Sequence, residues 1–180
     1  MIRLFVGLGL PGDLRQRLAG LNGGVPGARW VAAENLHVSL RFIGEVDQGH
    51  ADDIDTALGA VFAVPFDLRL RGVGAFGKGR KLHSLWVGVE NEPALSALHD
   101  KVDRALVGAG VAPDNRKFMP HVTLARLKAV KPRRVDEYVA AHGLFSAGPI
   151  AVGAFVLYSS LLSKNGAIYR PEAEYPLVAG

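Results

Sequence analysis

A four-residue pattern, His-apolar-hydroxyl-apolar, occurs twice in this chain of 180 residues. It reads His-Val-Ser-Leu at residues 37–40 and His-Val-Thr-Leu at residues 121–124. In a β-strand, side chains two positions apart point to the same face, so each copy presents an imidazole and a hydroxyl on one side. Two such pairs facing each other would supply two groups that titrate near neutral pH. The pattern therefore predicts acid–base chemistry on an anion, with His37 and His121 as the catalytic residues.

The chemistry that suits these groups is the cleavage of a phosphodiester with an internal leaving group. One imidazole would take a proton from the attacking water, and the other would protonate the departing oxygen. Ser39 and Thr123 would hydrogen-bond the non-bridging oxygens, where charge accumulates. Strand parity places Arg41 on the face of the first hydroxyl, so Arg41 is predicted to clamp the anion. Arg126 follows the second histidine by five positions, so it would enter the cleft only where the strand bends, bulges or ends.

Three short landmarks recur in the second part of the chain, in the same order and at a nearly constant offset. Such self-similarity is typical of internal duplication. We therefore expect a single bilobal domain over residues 1–180, with repeat halves of roughly 1–80 and 81–180. The matched landmarks are residues 5–8 with 86–89, His37 with His121, and residues 73–76 with 152–155, at offsets of 81, 84 and 79 positions.

Each half has the pattern strand–helix–strand–helix–strand, judged by apolar periodicity and helix-start signals. This order predicts an α+β fold of two pseudo-symmetric lobes, in which antiparallel sheets line a central cleft and helices lie outside. Pro171 and Pro176 are expected to interrupt the ladder of the last strand. Strands are predicted at residues 3–9, 37–43, 66–76, 84–90, 121–127, 150–160 and 168–178, and helices at 11–21, 47–60, 92–107 and 135–141.

The composition is that of an ordinary globular protein, with 49% hydrophobic and 21% charged residues and a net charge of +4. The chain has no cysteine, which excludes thiolate nucleophiles and disulfides and suits the cytoplasm, where we expect the protein. The first residues lack a signal-peptide cleavage site and are expected to form a strand. Residues 143–163 carry no Asp, Glu, Lys or Arg, but Gly148-Pro149 and Gly153 interrupt them, so we expect a turn and a buried strand rather than a membrane span.

A basic and aromatic segment follows the third predicted strand. Its cations would suit an RNA backbone, and an aromatic ring there would stack on a base, although a solvated loop and a core aromatic explain the same residues. The Gly-x-Gly-x-x-Gly pattern at residues 72–77 precedes a strand rather than a helix, so it does not predict a dinucleotide site. The two motif histidines have no third ligand nearby, so no metal and no cofactor are predicted. The residues proposed as RNA contacts are Phe76, Lys78, Arg80, Lys81 and His83.

The residues around both motifs resemble a known family, the RNA 2′,3′-cyclic phosphodiesterases of the two-histidine phosphoesterase superfamily. Members of this family were first described as 2′–5′ RNA ligases. The resemblance covers nearly the whole chain, and the paired motif is its most specific part. The matching blocks are residues 29–31 with 34–46, residues 118 and 120–126, and, more weakly, residues 74–76, 85–89, 166–167, 169 and 175–177.

The resemblance implies metal-free hydrolysis of a terminal RNA 2′,3′-cyclic phosphate to a 2′-phosphate. It also implies that Arg126 faces the cleft, although the alternation of side chains in a regular strand would point Arg126 away from it. The sequence departs from the family at Ser39, where Thr is usual, and at Gly77, where Pro often stands. The implied roles are proton donor for His37, proton acceptor for His121, and phosphate binding for Ser39, Thr123 and Arg126.

The expected partner is RNA with a 2′,3′-cyclic phosphate end or a small cyclic nucleotide. We expect the protein to be a monomer and not to bind a membrane. By microscopic reversibility, the same site would join a 5′-hydroxyl RNA to the cyclic end through a 2′–5′ bond. Two alternatives stay open at this point. One is a related phosphodiesterase that acts on 2′–5′ oligoadenylate or ADP-ribose cyclic phosphate, because substrate choice depends on loops. The other is an RNA-binding module without turnover.

Overall fold

The computed structural model describes residues 1–179, which form four α-helices and one antiparallel sheet of nine strands. The strands are β1 (Ile2–Gly9), β2 (Arg29–Trp30), β3 (His37–Val46), β4 (Phe66–Phe76), β5 (Ser84–Val89), β6 (His121–Arg126), β7 (Ser146–Val152), β8 (Ala154–Ser163) and β9 (Gly166–Pro176). The helices are α1 (Gly12–Ala19), α2 (Gln48–Gly59), α3 (Pro93–Gly108) and α4 (Pro132–His142).

The order of the strands in the sheet has an internal symmetry. The order is β7-β4-β5-β6-β3-β1-β8-β9, with β2 paired to β6. The six inner strands are related by a pseudo-twofold symmetry. If β1 is exchanged with β5, β3 with β6 and β4 with β8, the same order is read from the other end of the sheet. The centre of this symmetry is the pairing of Val38 in β3 with Val122 in β6. The predicted α+β fold with a cleft is confirmed, and the two lobes share one curled sheet.

Each end of the sheet contains strands from both parts of the sequence. β4 pairs with β5, and β8 pairs with β1, so the third strand of each repeat joins the other repeat. This exchange explains why the long uncharged stretch, predicted as one strand at 150–160, is two. The strand is interrupted at Gly153. β7 before it pairs with β4 at one end of the sheet, and β8 after it pairs with β1 near the other end.

The helices cover the face of the sheet on which Val38 and Val122 are buried. In α3, four apolar residues at helical spacing are almost completely buried. Asp47 caps α2 by accepting a hydrogen bond from the backbone N–H of His50, as the sequence predicted. The opposite face carries the motif histidines and stays open. The buried apolar residues of α3 are Leu95, Leu98, Val102 and Leu106.

The last strand differs from its prediction. β9 is continuous through Pro171, which pairs with Tyr158 beside a register shift. The strand therefore does not end at Pro171, but its ladder is irregular there, as predicted, because Glu172 is left unpaired between Pro171 and Ala173. β9 is an edge strand. Because one side of an edge strand has no partner strand, a proline whose nitrogen faces that side removes no hydrogen bond from the ladder. Within residues 1–179, no helix combines the length and apolarity needed to cross a membrane.

Candidate active site

The two His-x-hydroxyl motifs meet at the centre of the sheet. Their strands are antiparallel, and the pairing of Val38 with Val122 aligns each histidine with the hydroxyl of the other motif. Residues directly opposite each other lie about 4.5–5.5 Å apart between Cα atoms, and diagonal neighbours about 7–8 Å. One small patch of the open face therefore holds both imidazoles and both hydroxyls. The register places His37 opposite Thr123 and Ser39 opposite His121.

The two imidazoles are held in the same way. The Nδ1 atoms of His37 and His121 lie 2.6 Å from the backbone carbonyl oxygens of Asn35 and Met119, respectively. A carbonyl only accepts, so Nδ1 carries the hydrogen in both rings, and Nε2 is free to exchange a proton. The Nε2 atom of His37 lies 2.9 Å from the hydroxyl of Ser39. Both rings are thus anchored with their reactive nitrogen on the cleft side.

Burial lowers the pKa of both histidines below the ordinary value of 6.5. In each ring the carbonyl bound to Nδ1 opposes this effect by favouring the charged form, and the nearby positive charge of Arg126 adds to it. His121 lowers the pKa of His37 further. The free site therefore favours neutral imidazoles at neutral pH.

Aromatic rings provide the apolar surroundings of both imidazoles. Phe76, predicted as an RNA contact, lies edge-on against His121. Trp86 lies farther from His121, and Phe5, its counterpart in the sequence repeat, lies closer to His37. The ring-centroid distances from His37 are 4.9 Å to Phe5, 5.4 Å to Tyr169 and 6.0 Å to Tyr158, and those from His121 are 4.9 Å to Phe76 and 6.4 Å to Trp86.

Both motif strands contain a bulge at the same position of the motif. The residues on either side of Leu40 pair with consecutive residues of β1, so Leu40 is unpaired in that ladder. Leu124 is unpaired in the ladder with β5 for the same reason. Both leucines are buried among the core residues. An extra residue shifts the alternation of side chains by one, so the residues after each bulge exchange faces.

The bulge in β6 turns Arg126 into the cleft, whereas the bulge in β3 turns Arg41 away. Arg41 is only 6% exposed and forms an ion pair with Asp103 at 2.8 Å. It also donates to the backbone carbonyl of Ala112 at 2.5 Å. The prediction that Arg41 shares the face of Ser39 and clamps the anion is therefore wrong. Regular strand parity does not hold beyond a bulge.

The motif residues line a cavity of about 920 Å³. His37, His121 and Arg126 all contribute to its wall, together with both motif hydroxyls. The charged residues of the lining, besides the histidines, are three arginines and Glu34. The cavity therefore has a positive balance, which suits an anionic ligand.

The basic segment after β4 does not line this cavity. Lys78, Arg80 and Lys81 are exposed and form a short 3₁₀ turn and its cap, outside the cavity lining. His83 stacks on Phe76, with ring centroids 6.0 Å apart. Within residues 1–179, no three His, Asp or Glu side chains gather as a metal site.

Several cavity residues were missed from the sequence. Phe42 precedes Arg126 by 84 positions, the same offset that relates the two histidines. The duplication could therefore have predicted that Phe42 faces the cleft, as Arg126 does. The guanidinium of Arg3 lies 5.4 Å from the centroid of the Phe42 ring. Strand β2 is too short to show a periodic pattern. The missed lining residues include Arg3, Phe5, Arg29, Trp30, Phe42 and Tyr169.

A curled antiparallel sheet with two anchored imidazoles, two hydroxyls and an arginine in one cleft defines a phosphoesterase of the two-histidine class. The 2′-5′ RNA ligase superfamily matches residues 11–161 of the chain, which belongs to this family. The predicted family is thereby confirmed, and with it the prediction of a phosphodiesterase enzyme.

Relatives and solved structures agree with this assignment. The chain is 37% identical over 150 residues to an RNA 2′,3′-cyclic phosphodiesterase of Aeropyrum pernix, with 82% of this chain and 84% of the relative covered. It is 33% identical over 172 residues to that of Archaeoglobus fulgidus, with 94% and 97% covered. The crystal structure of E. coli LigT complexed with 3′-AMP matches with a TM-score of 0.78 and 27% identity, and 99% of each chain is covered.

Proposed function

We propose that this protein hydrolyses the 2′,3′-cyclic phosphate at the end of RNA, or of a small nucleotide, to a 2′-phosphomonoester without a metal ion. The observation that carries the proposal is the register of β3 and β6, which brings two identically anchored imidazoles and two hydroxyls into one positive cavity. The names of the relatives support the choice of substrate class.

In the first half of the reaction, water attacks phosphorus. The Nε2 atom of neutral His121 takes a proton from the water as the new O–P bond forms. This role requires a lone pair on Nε2 in the cleft. The bond from Nδ1 to the carbonyl of Met119 provides that tautomer.

In the second half, the bond between phosphorus and the 3′-oxygen breaks. Protonated His37 gives its Nε2 proton to the leaving 3′-oxygen, which becomes a hydroxyl, and the phosphate stays on the 2′-oxygen. Proton exchange with solvent then resets both rings. The hydroxyl of Ser39, 2.9 Å from Nε2, is an acceptor that is already in place for the protonated ring.

The non-bridging oxygens gain negative charge as the attack proceeds. Thr123 and Ser39 can donate hydroxyl hydrogen bonds to them, and Arg126 supplies a cation on the same face. Fixed donors of this kind stabilise the transition state more than the ground state. Lys78, Arg80 and Lys81 stay a prediction as contacts for RNA outside the cavity.

The same machinery would join two RNA ends if the 5′-hydroxyl of an RNA attacked phosphorus in place of water. The imidazoles would keep their roles, because His121 would take the proton of the 5′-hydroxyl and His37 would protonate the leaving 3′-oxygen, and the product would be a 2′–5′ bond. The large excess of water favours hydrolysis, so ligation is proposed as a minor activity.

The test is to incubate the purified protein with a 2′,3′-cyclic mononucleotide and a cyclic-ended oligoribonucleotide, with and without EDTA. Phosphorus NMR is expected to show a 2′-phosphomonoester at the same rate in both. A 3′-phosphate product, or a rate abolished by EDTA and restored by a divalent cation, would contradict the mechanism. Parallel incubations with a 2′–5′ oligoadenylate and with ADP-ribose cyclic phosphate test the two rival substrates. Binding of RNA without any turnover would support the non-catalytic alternative.

A further inference from the structure

Arg29 lies beside Arg126 on the cleft face of the sheet. Strand β2 pairs with β6 antiparallel, and Arg29 is directly opposite Arg126. Directly opposite residues of an antiparallel pair share a face. The next residue, Trp30, is opposite the buried Ala125 and packs against Tyr138 of helix α4, with ring centroids 5.6 Å apart, while part of it also reaches the cavity. Arg29 and Arg126 accordingly both line the cavity.

This pairing of two arginines is unfavourable on its own. Like charges directly opposite each other on a ladder repel and destabilise the pair. Within residues 1–179, neither Arg29 nor Arg126 belongs to an ion pair. The cavity offers one carboxylate, Glu34, against its three arginines. An anionic ligand would supply the negative charge that offsets the repulsion between Arg29 and Arg126.

One cyclic phosphate does not require both arginines. It carries a single negative charge, and the proposed function already surrounds it with two imidazoles, two hydroxyls and Arg126. We propose that Arg29 binds a second anionic group, the phosphodiester that joins the terminal nucleotide to the rest of an RNA strand. This inference rests on the proposed function and defines its substrate as an RNA end rather than a free mononucleotide.

The proposal predicts a step in substrate preference. A dinucleotide with a cyclic phosphate end carries the second phosphate, so its kcat/KM is expected to exceed that of the cyclic mononucleotide by about tenfold, the size of a charge-assisted hydrogen bond. Further nucleotides add little at this position. A mononucleotide with a 5′-phosphate carries a monoester there instead, and comparing it with the dinucleotide separates a small-nucleotide site from an RNA site.

The experiment compares the three substrates in the wild type and in Arg29→Gln, Arg29→Lys and Arg104→Gln. Arg29→Gln is expected to reduce the ratio of dinucleotide to mononucleotide kcat/KM about tenfold, and Arg29→Lys to keep most of it. Arg104 is an exposed arginine on helix α3, on the other side of the sheet, so its variant is expected to keep the ratio. Each phosphate contact on a single strand adds a slope of about 0.7 to the dependence of log affinity on log salt, and Arg29→Gln should remove that increment.

The outcomes separate this inference from the proposed function. Equal losses on mononucleotide and dinucleotide in Arg29→Gln would overturn it, because Arg29 would then serve the cyclic phosphate itself. A 5′-phosphorylated mononucleotide as good as the dinucleotide would also overturn it. Failure of the wild type to hydrolyse any cyclic phosphate would refute the proposed function alone. In that event calorimetric binding of a mononucleotide and a dinucleotide with 2′-phosphate ends gives the same ratio without turnover.

Discussion

The two halves of the cleft begin alike and then diverge. In both, a histidine is anchored through Nδ1 to the carbonyl two residues before it, a hydroxyl follows, and a buried leucine forms a bulge. Beyond the bulge, β3 has Arg41 and Phe42, whereas β6 has Ala125 and Arg126. The same geometry therefore presents an aromatic ring to the cleft on one side and a guanidinium on the other.

This difference shows how a symmetric scaffold can hold an asymmetric substrate. Acid and base are interchangeable groups, so two identical anchoring arrangements serve both. A nucleotide, in contrast, has a charged end and an aromatic base. The side of Arg126 suits the phosphate, and the side of Phe42 suits an apolar group. Arg41 instead binds Asp103 of helix α3 and so stabilises the packing of that helix on β3.

The largest effect should come from the shared part of the two halves. His37→Ala and His121→Ala are each expected to reduce kcat at least about 100-fold, since each removes one proton transfer. The measurement is turnover of a cyclic mononucleotide, with a thermal melt to show that the fold is intact. His142→Ala, at the end of helix α4, is the matched control and should keep wild-type turnover. Full activity in either motif variant would refute the two-histidine mechanism.

A second pair of variants tests the divergence after the bulge. Arg126→Met is expected to lower kcat/KM about 30-fold or more by removing the phosphate cation, with little change in the melting temperature. Arg41→Met is expected to reduce the free energy of unfolding by about 3 kcal/mol, because it leaves Asp103 and the backbone carbonyls of Phe42 and Ala112 without their partner. The folded fraction should keep its kcat/KM. Loss of activity in Arg41→Met at temperatures where it is fully folded would contradict the assignment.

The same comparison shows where sequence-based prediction stops. Apolar periodicity predicted most helices and strands within a few residues, and the repeated motif predicted both histidines. Arg41 was placed on the wrong face because a bulge depends on how the neighbouring strand pairs, and a single strand carries no local sign of it. The split at Gly153 has a similar cause, since it is set by which strands β7 and β8 join.

A smaller effect is expected from the glycines that face the motif strands. A Cβ atom at Gly7 would lie 2.9 Å from the carbonyl oxygen of Val38 and 3.3 Å from Cδ2 of His37. Gly88, its counterpart in the sequence repeat, is paired with His121 rather than with the hydroxyl residue, and would place a Cβ atom 2.8 Å from the carbonyl oxygen of Arg71, with no atom of the second histidine among the nearest contacts. Gly7→Ala and Gly88→Ala should both destabilise the fold by about 1–3 kcal/mol.

Only Gly7→Ala is expected to displace a catalytic ring, and it should lower kcat about tenfold, because small misplacements of reacting groups are costly. Gly88→Ala should keep kcat within about twofold of the wild type. The measurement is kcat at a temperature where both variants are folded. Equal losses in the two variants would show that the clash acts through general distortion rather than through His37.

The smallest change concerns the pH at which the enzyme works best. The profile of kcat/KM is expected to be bell-shaped, because one imidazole must be protonated and the other neutral in the free enzyme. Burial and Arg126 lower the pKa of both His37 and His121 from 6.5, so the maximum, midway between the two, should lie below pH 6.5. Arg126→Met removes a cation that disfavours both imidazolium forms and should move the whole bell to higher pH. A maximum above pH 6.5, or a bell that does not move in Arg126→Met, would show that the two halves do not share one electrostatic environment.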